Sequence, residues 1–424
     1  MKRLSAAIFL VALSVPFALY AQAGRTPVPC DTNNGGLTLP AGFCATVVAE
    51  GIEGTRHLAV APNGDIYVAV RNQPDKPGGV VALRDANGDG RAEVRERFGD
   101  SGGTGLALRG GHLYLARDTA VVRFPIKAGQ LSATGPAEMV VSGFPEQRTH
   151  PTKTLAFDNR DGLYVNIGNA SNACAGSDQP KAAGLNPCTQ LETGGGVWRF
   201  DANRAGQVHG KDGKRYSTGL RQANAMAWNP AVNALYLVQH GRNGFNRWPE
   251  YFDDEENAET PSEELQRIDE GANHGFPYCY HDLAQNKRFV APEYGGDGVK
   301  AGDCAKYPLP VAAYPAHWAP NDMLFYSGTQ FPAKYRGGVL IAFHGSGSRT
   351  PLPQGGYNVV LQPMRDGKAV GKHEVLADGF SGMTVLMKRE EAAHRPMGLA
   401  QGPDGSLYIV DSVKGKLWRV MYRG

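Results

Sequence analysis

Three polar residues with catalytic potential stand at equivalent places along the chain. His150, Arg221 and Arg395 each lie a few residues before a short apolar, strand-like segment. A neutral imidazole is well suited to take a proton near pH 7, and guanidinium groups bind multiply anionic ligands. If the three segments meet at one end of a fold, they form one polar site with a base and two cations. A lone histidine is more often structural, so from His150 alone both interpretations stay open.

A second candidate site has the spacing of a calcium-binding loop. Asp85, Asn87 and Asp89 alternate within DANGDG, and five residues separate Gly90 from Glu96. This matches the pattern D-x-[DN]-x-[DN]-G-x₅-E, whose oxygens bind Ca²⁺. The flanking segments read as strands rather than the helices of an EF-hand, so a hairpin turn built on Asn-Gly or Asp-Gly is the alternative.

A third candidate is an acidic run at residues 249–264, PEYFDDEENAETPSEE. It contains eight acids and no base between Glu250 and Glu264. Such a run is typical of a solvated loop, and a cation site is the alternative because Ca²⁺ prefers carboxylate and carbonyl oxygens.

The pentapeptide GDSGG at residues 99–103 resembles the nucleophile segment of trypsin-like proteases. Those enzymes need a histidine and an aspartate upstream of the serine. Here the upstream histidine, His57, lies within a strand-like segment. We therefore interpret GDSGG as a tight turn.

The elements that position these residues follow from an internal repeat. An apolar triplet, a polar turn and an apolar-aromatic strand recur in six copies that begin near residues 57, 105, 154, 225, 323 and 398. Each copy has the period-2 alternation of a β-hairpin. The first spacings, 48 and 49 residues, fit four-stranded propeller blades, and the longer later spacings indicate insertions. The sequence predicts an all-β, six-bladed β-propeller, with a solenoid as the alternative.

Composition agrees with this fold class. Gly and Pro together make 55 plus 28 residues of 424, about a fifth, while 42% of residues are hydrophobic. Long helices tolerate neither Gly nor Pro, and a disordered chain contains fewer apolar residues, so a helical bundle and a disordered protein are both excluded. The net charge of +3 gives no basis for expecting a nucleic-acid partner.

The N-terminus has the pattern of an export signal. A basic start, an apolar run at residues 6–20 and the sequence AQA at residues 21–23 predict a signal peptide at residues 1–23, cleaved near Ala23. Residues 24–424 are then expected to form a single propeller domain with long insertions in later blades. No later stretch is apolar over the length of a membrane span, so we expect a periplasmic or secreted protein that does not span a membrane.

Six cysteines fall into three local pairs in chain order. Because export leads to an oxidising compartment, we predict disulfides between neighbours, although six cysteines allow 15 connectivities. The expected pairs are Cys30–Cys44, Cys174–Cys188 and Cys279–Cys304.

Several motifs resemble those of the soluble sugar dehydrogenases that depend on pyrroloquinoline quinone (PQQ). The resemblance rests on residues 219–227 (GLRQANAMA), 238–243 (VQHGRN) and 271–277 (GANHGFP). Residues 316–320 (AHWAP), 342–346 (AFHGS) and 395–398 (RPMG) are similar to the branch named for L-sorbosone dehydrogenase. Members of this family are six-bladed propellers, so the resemblance agrees with the repeat.

The resemblance implies a role for each matching residue. His150 matches the general base, and Arg221, Gln222, His240 and Arg395 match residues at the cofactor. The backbone carbonyls of Gly241 and Arg242 match those that hold a Ca²⁺ on the quinone, and Glu264 with the carbonyl of His274 keeps the spacing of a structural calcium site. The implied reaction is oxidation of a sugar, polyol or related aldehyde: His150 removes a proton, a hydride passes to PQQ, and electrons continue to an external cytochrome or quinone.

The chain also departs from the family pattern. Gln222 replaces an Asn, Arg242 replaces a Pro, and Met397 stands where a second Arg is found. A lysine expected on the fifth blade is missing, and Arg349 is the candidate to replace it. The alternative function is a calcium-dependent propeller hydrolase, such as a lactonase, in which Ca²⁺ on the channel axis polarises an ester.

Overall fold

The computed structural model of the protein describes residues 27–177, 179 and 181–424. The predicted signal peptide at residues 1–23, including the expected cleavage near Ala23, lies outside the described residues. Within them nearly all regular structure is β, as the composition indicates.

The strands form six blades, which follow one another in chain order. An initial strand, β1, is Phe43–Ala49. Blade 1 contains β2 (Thr55–Val60), β3 (Ile66–Val70), β4 (Gly79–Arg84) and β5 (Val94–Phe98). Blade 2 contains β6 (Leu106–Arg109), β7 (His112–Ala116), β8 (Val121–Pro125) and β9 (Glu138–Ser142). Blade 3 contains β10 (Lys153–Phe157), β11 (Gly162–Ile167), β12 (Gly196–Asp201) and, after the short β13 (Gln207–Val208) that pairs with β9, β14 (Lys214–Thr218).

The second half of the chain continues the pattern. Blade 4 contains β15 (Ala225–Asn229), β16 (Ala234–Gln239) and β17 (Glu263–Ile268), then an inserted hairpin of β18 (Cys279–Asp282) and β19 (Lys287–Val290), then β20 (Ala312–Tyr314). Blade 5 contains β21 (Pro320–Phe325), β22 (Val339–Phe343) and β23 (Asn358–Gln362), then a small hairpin of β24 (Met364–Arg365) and β25 (Lys368–Ala369), then β26 (Glu374–Ala377). Blade 6 contains β27 (Pro396–Gln401), β28 (Leu407–Asp411) and β29 (Leu417–Tyr422).

The strand order confirms the predicted six-bladed β-propeller. The innermost strands β2, β6, β10, β15, β21 and β27 are the first strands of the six repeat copies and pack against one another around a central channel. Their turns lead into second strands such as β3, which is buried along its whole length because it lies between neighbouring blades. The outermost strand β5 is largely exposed.

The ring is closed by the two ends of the described chain. β1 pairs antiparallel with β29, so it becomes the outer strand of blade 6. Three short-range disulfides join Cys30–Cys44, Cys174–Cys188 and Cys279–Cys304, and the predicted pairing is confirmed.

Helical structure is sparse. Two short α-helices, α1 (His209–Asp212) and α2 (Asp254–Glu259), lie between strands of the described chain. α2 forms within the acidic run because Asp253 and Glu256 make a reciprocal capping box at its start. Every helix among the described residues is too short or too polar to cross a bilayer.

Candidate active site at one mouth of the channel

One mouth of the channel brings together four of the predicted site residues, His150, Arg221, His240 and Arg395. Each inner strand begins at this mouth, and its antiparallel partner ends there, as the pairing of Ala225 with Val238 illustrates. The loops that precede inner strands carry His150, Arg221 and Arg395. The loop that follows β16, the second strand of blade 4, carries His240. Residues far apart in sequence are therefore brought together, as the repeat predicts.

His150 is arranged as a base. Its ring Nδ1 lies 2.8 Å from the carbonyl oxygen of Asn169. A carbonyl only accepts a hydrogen bond, so Nδ1 carries the proton and Nε2 carries the lone pair. Burial, followed by the positive charge of Arg221, holds the pKa of His150 well below its ordinary value. The ring is therefore neutral and able to accept a proton at Nε2.

Arg221 is a buried cation, with only 5% of its surface exposed. Its guanidinium donates to the backbone oxygen and to the side-chain oxygen of Asn172, at 3.2 and 2.9 Å. No described carboxylate accepts a hydrogen bond from it, although the charge of Glu263 favours its charged form. Burial lowers the pKa of Arg221 to about 10. The guanidinium is thus held by neutral oxygens beside the base.

Arg395 is held in the same way on blade 6. Its Nε donates to the carbonyl oxygen of His344 at 3.1 Å and its Nη2 to that of Gly345. The guanidinium lies 5.8 Å from the ring centre of Tyr357. Its hydrogen bonds among the described residues are also to neutral oxygens.

A third arginine, Arg56, lies at the same end of the channel, which we call the positive mouth because Arg56, Arg221 and Arg395 line it. The sequence patterns did not indicate Arg56. Its buried Nε has no hydrogen-bond partner among the described residues, and its Nη1 lies 3.6 Å from the sulfur of Met397. Burial, reinforced by Arg71, lowers its pKa to about 10, and Arg395 acts in the same direction. The available signal was its place beside His57 at the first repeat copy.

His240 lies next to this group. Its Nε2 contacts the carbonyl oxygen of Pro320 at 2.7 Å, so Nε2 carries the proton. Burial lowers its pKa to about 4, and the ring is neutral.

Gln222 lies deeper in the channel, where its side chain is already paired. Its Nε2 donates to Thr152 Oγ1 and Asn224 Oδ1, at 2.9 and 2.8 Å, and its Oε1 accepts from Asn166 at 3.2 Å. The structure therefore places Gln222 in a network of hydrogen bonds that lies deeper in the channel than the arginines. Its direct contact with a cofactor stays a prediction.

The segment 240–242 is fixed by Glu263, another residue that the sequence analysis did not single out. Glu263 accepts hydrogen bonds from the backbone N–H groups of Gly241 and Ala319, at 2.8 and 3.0 Å. Burial raises its pKa to about 7. The carbonyl oxygens of Gly241 and Arg242 accept no hydrogen bond from the described residues. They fit the predicted role of calcium ligands.

At the second predicted calcium site, the carboxylate of Glu264 is paired with an arginine. The carboxylate of Glu264 is fully buried against the guanidinium of Arg288, and it also accepts from Gln239 and Gln266. The positive charge of Arg288 lowers the pKa of Glu264 against the effect of burial. This donor set fits a guanidinium better than a metal ion, so calcium at Glu264 and His274 finds no support in the geometry.

Arg349 is also committed elsewhere. Its guanidinium pairs with Glu259 in α2 and donates to the carbonyl oxygens of Ala258, Ala316 and Pro353. It fastens α2 to the segments beside it, and the structure gives it no contact with the arginines of the mouth. Its role as a replacement for the missing lysine is therefore not supported by the contacts.

The loop with the calcium-binding pattern joins β4 to β5 at the face opposite His150. Carboxylate oxygens of Asp85, Asp89 and Glu93 lie within 4.8 Å of one another. Asn87 donates to Glu93 at 2.9 Å. The expectation that Glu96 completes the set is wrong, because Glu96 lies within β5 and accepts from Ser132. Calcium binding by Asp85, Asn87 and Asp89 stays a prediction.

Two solved structures share this fold over nearly their full length. The holo form of the PQQ domain of pyranose dehydrogenase from Coprinopsis cinerea matches with a TM-score of 0.72 and 17% identity, over 91% of this chain and 97% of that one. The calcium structure of the carbohydrate-active enzyme family AA12 protein of Trichoderma reesei matches with a TM-score of 0.75 and 17% identity, over 94% and 99%.

Sequence comparison points the same way. The aldose sugar dehydrogenase YliI of Escherichia coli K12 is 23% identical over 270 residues, which cover 63% of this chain and 59% of that protein. Matches to curated relatives span 48% and 59% of the relatives' length. The family model described as TrAA12-like matches residues 37–423. That match covers all six blades, and the chain belongs to the TrAA12-like family.

Proposed function

We propose that this chain is an exported quinoprotein dehydrogenase that oxidises a sugar or a related alcohol or aldehyde, with PQQ and Ca²⁺ as cofactors. One observation carries the proposal: the lone-pair nitrogen of a neutral His150 lies at the same mouth as the buried Arg221 and the half-buried Arg395, whose guanidinium groups have only neutral hydrogen-bond partners among the described residues. Buried cations without a carboxylate are costly, so they indicate an anionic ligand.

Each site residue has a separate role in the proposed reaction. Nε2 of His150 accepts the proton of a substrate hydroxyl, and the bond from Nδ1 to Asn169 keeps the ring oriented. Arg221, Arg395 and Arg56 would hold an anionic cofactor, and the carbonyls of Gly241 and Arg242 would hold a calcium ion. PQQ, when bound, supplies the hydride acceptor. The protein contributes position and electrostatic field.

The rival function, a calcium-dependent hydrolase, needs side-chain carboxylates that face the channel. The buried acids near the mouth are engaged by backbone donors instead. Glu263 binds the N–H groups of Gly241 and Ala319, and Asp322 binds those of Met323 and Leu399. These contacts favour the dehydrogenase.

The proposed substrate and electron acceptor follow from the same resemblance. The AHWAP, AFHGS and RPMG motifs support a sorbosone-like or aldose substrate, and electrons then leave to an external cytochrome or quinone. The YliI relative is named an aldose sugar dehydrogenase, which agrees with a sugar substrate. Three disulfides are compatible with the periplasmic or secreted location that the N-terminal pattern indicates.

The test is a titration of the purified apo-protein with PQQ in the presence of Ca²⁺, followed by cofactor absorbance and dye reduction with aldoses and sorbosone. We expect Arg221→Ala and Arg395→Ala to weaken PQQ binding by about 30-fold or more, because each removes a charge-assisted contact. His150→Ala should bind PQQ like the wild type and lose about 10²–10⁴-fold in turnover, since it removes only the base.

Arg336→Ala is the matched control, because Arg336 is an exposed arginine that contacts the carbonyl of Thr329. It should leave binding and turnover unchanged. If the wild type shows no saturable binding at micromolar PQQ with Ca²⁺, the quinoprotein proposal fails and the calcium hydrolase becomes the better explanation.

A further inference from the structure

Lys153, the first residue of β10, is a lysine with no exposed surface. Its Nζ donates to the carbonyl oxygen of Pro151 at 2.5 Å and to Gln147 Oε1 at 3.1 Å. No described carboxylate is hydrogen-bonded to it. A buried ammonium held only by neutral oxygens is a rare and costly arrangement.

The two partners of Lys153 flank the base in sequence. Gln147 precedes His150 by three residues, and Pro151 follows it directly. Gln147 also donates from Nε2 to the carbonyl oxygen of Gly168 at 2.7 Å. The next residue, Asn169, provides the carbonyl that accepts from His150 Nδ1. Two hydrogen bonds and the peptide bond between Gly168 and Asn169 therefore connect Lys153 to the carbonyl that holds the imidazole.

The backbone of His150 needs such support. Its φ is 55°, in the left-handed region that a residue with a side chain rarely adopts. Such a conformation is unfavourable and persists only when the surroundings enforce it. The contacts of Lys153 and Gln147 hold both sides of this turn.

Burial disfavours the charged form of Lys153. Burial lowers its pKa to about 8, and the opposing effect of Asp118 does not cancel this. An apolar side chain of similar length would avoid the cost of burying an ammonium group. The fold alone therefore gives no reason for a lysine at this position.

We propose that Lys153 is a positioning residue for the base: through Pro151 and through Gln147 it fixes the turn and the ring tautomer of His150, so that Nε2 faces the mouth. The inference rests on the proposed function for the role of His150.

The test compares Lys153→Met, Lys153→Arg and Lys334→Met with the wild type. Lys334 is the matched control, because it is an exposed lysine paired with Glu374. Three quantities are measured: the ¹⁵N shifts of the His150 ring in the apo-protein, the melting temperature at pH 7, and kcat and KM of the protein loaded with PQQ.

For Lys153→Met we expect a melting temperature equal to or above that of the wild type, ring ¹⁵N shifts that change from one tautomer to an average of two, and a kcat at least 10-fold lower with KM changed less than 3-fold. Lys153→Arg keeps the donors and should recover part of the kcat. Lys334→Met should match the wild type in all three measurements.

Two outcomes overturn the inference. One is an unchanged single tautomer of His150 in Lys153→Met. The other is a fall in melting temperature that accounts for the whole loss of activity, which would make Lys153 a structural residue. Failure of the wild type to reduce a dye with PQQ would instead refute the proposed function, and the ring shifts would still decide the role of Lys153.

Discussion

At the scale of single residues, the electrostatics of His150 differ from the simplest expectation. From its residue type alone, its pKa would lie near 6.5. In the structure, burial and then the positive charges of Arg221 and Lys153 disfavour the imidazolium, while the contact with Asn169 favours it. The base is therefore weaker than a free imidazole, and it stays neutral at lower pH. Anionic carboxylates bound by the arginines would oppose this shift, since they neutralise the nearest cation.

This makes a prediction about pH. A base with a lowered pKa remains unprotonated as pH falls through 6.5, so we expect the His150 ring of the apo-protein to be neutral at pH 6. The measurement is an NMR titration of the ring, with the His150→Ala variant used to assign its signals. A titration midpoint near 6.5 would contradict the electrostatics argued from burial and Arg221.

The residue scale is also where sequence reasoning stops. His150, Arg221 and Arg395 could be found because each precedes a repeat strand, and the repeat brings equivalent positions to one mouth. Lys153 and Glu263 could not be found, because their roles depend on which backbone and side-chain atoms they reach in the folded chain, and no residue spacing reports that. Arg288 shows the same limit: a guanidinium 24 residues from Glu264 lies where the family resemblance implied a calcium ion.

At the scale of elements, a buried ion pair connects the long insertion of blade 4 to the loop after β16. Arg242, in the loop after β16, pairs with Glu293, and the two side chains are only 5% and 4% exposed. The guanidinium also lies 4.7 Å from the ring centre of Phe245 and 5.3 Å from that of Trp248. The pair thus links the insertion to the segment whose carbonyls are the candidate calcium ligands.

Removing one partner of this pair should be costly. Glu293→Ala leaves the Arg242 guanidinium buried without a countercharge, so we expect the free energy of unfolding to fall by about 3–5 kcal/mol. Glu270→Ala is the control, since its pair with Lys214 is exposed and should contribute no more than about 1 kcal/mol. Urea unfolding of both variants measures the difference. Equal effects would mean that the insertion does not depend on the buried pair.

At the scale of the whole molecule, the fold was the part most open to prediction. The alternation of apolar and polar residues reports directly on strands, and six copies of one hairpin leave few architectures other than a ring of blades. The outer strands were harder, because β5 and β9 are short, partly exposed and carry no repeated phrase. The closing strand β1 could not be assigned to blade 6 from the repeat, since its partner β29 lies at the other end of the chain.

The pairing of β1 with β29, which closes the propeller, predicts how the propeller unfolds. The ring of Phe43 in β1 lies 4.9 Å from that of Phe331, 5.2 Å from that of Tyr335 and 5.0 Å from that of Tyr422, so one side chain joins the closing strand to blade 5 and to β29. We expect Phe43→Ala to lower the free energy of unfolding by about 3–5 kcal/mol, because it leaves a cavity among aromatic rings.

Since each blade is held by its two neighbours, that loss should shift a single cooperative transition, detected equally by circular dichroism and tryptophan fluorescence in urea. Met139→Ala, at an exposed position of β9, is the control and should shift the midpoint little. A separate early transition in Phe43→Ala, with the remaining blades intact, would show instead that the closing strand opens independently and that the positive mouth does not depend on a closed ring.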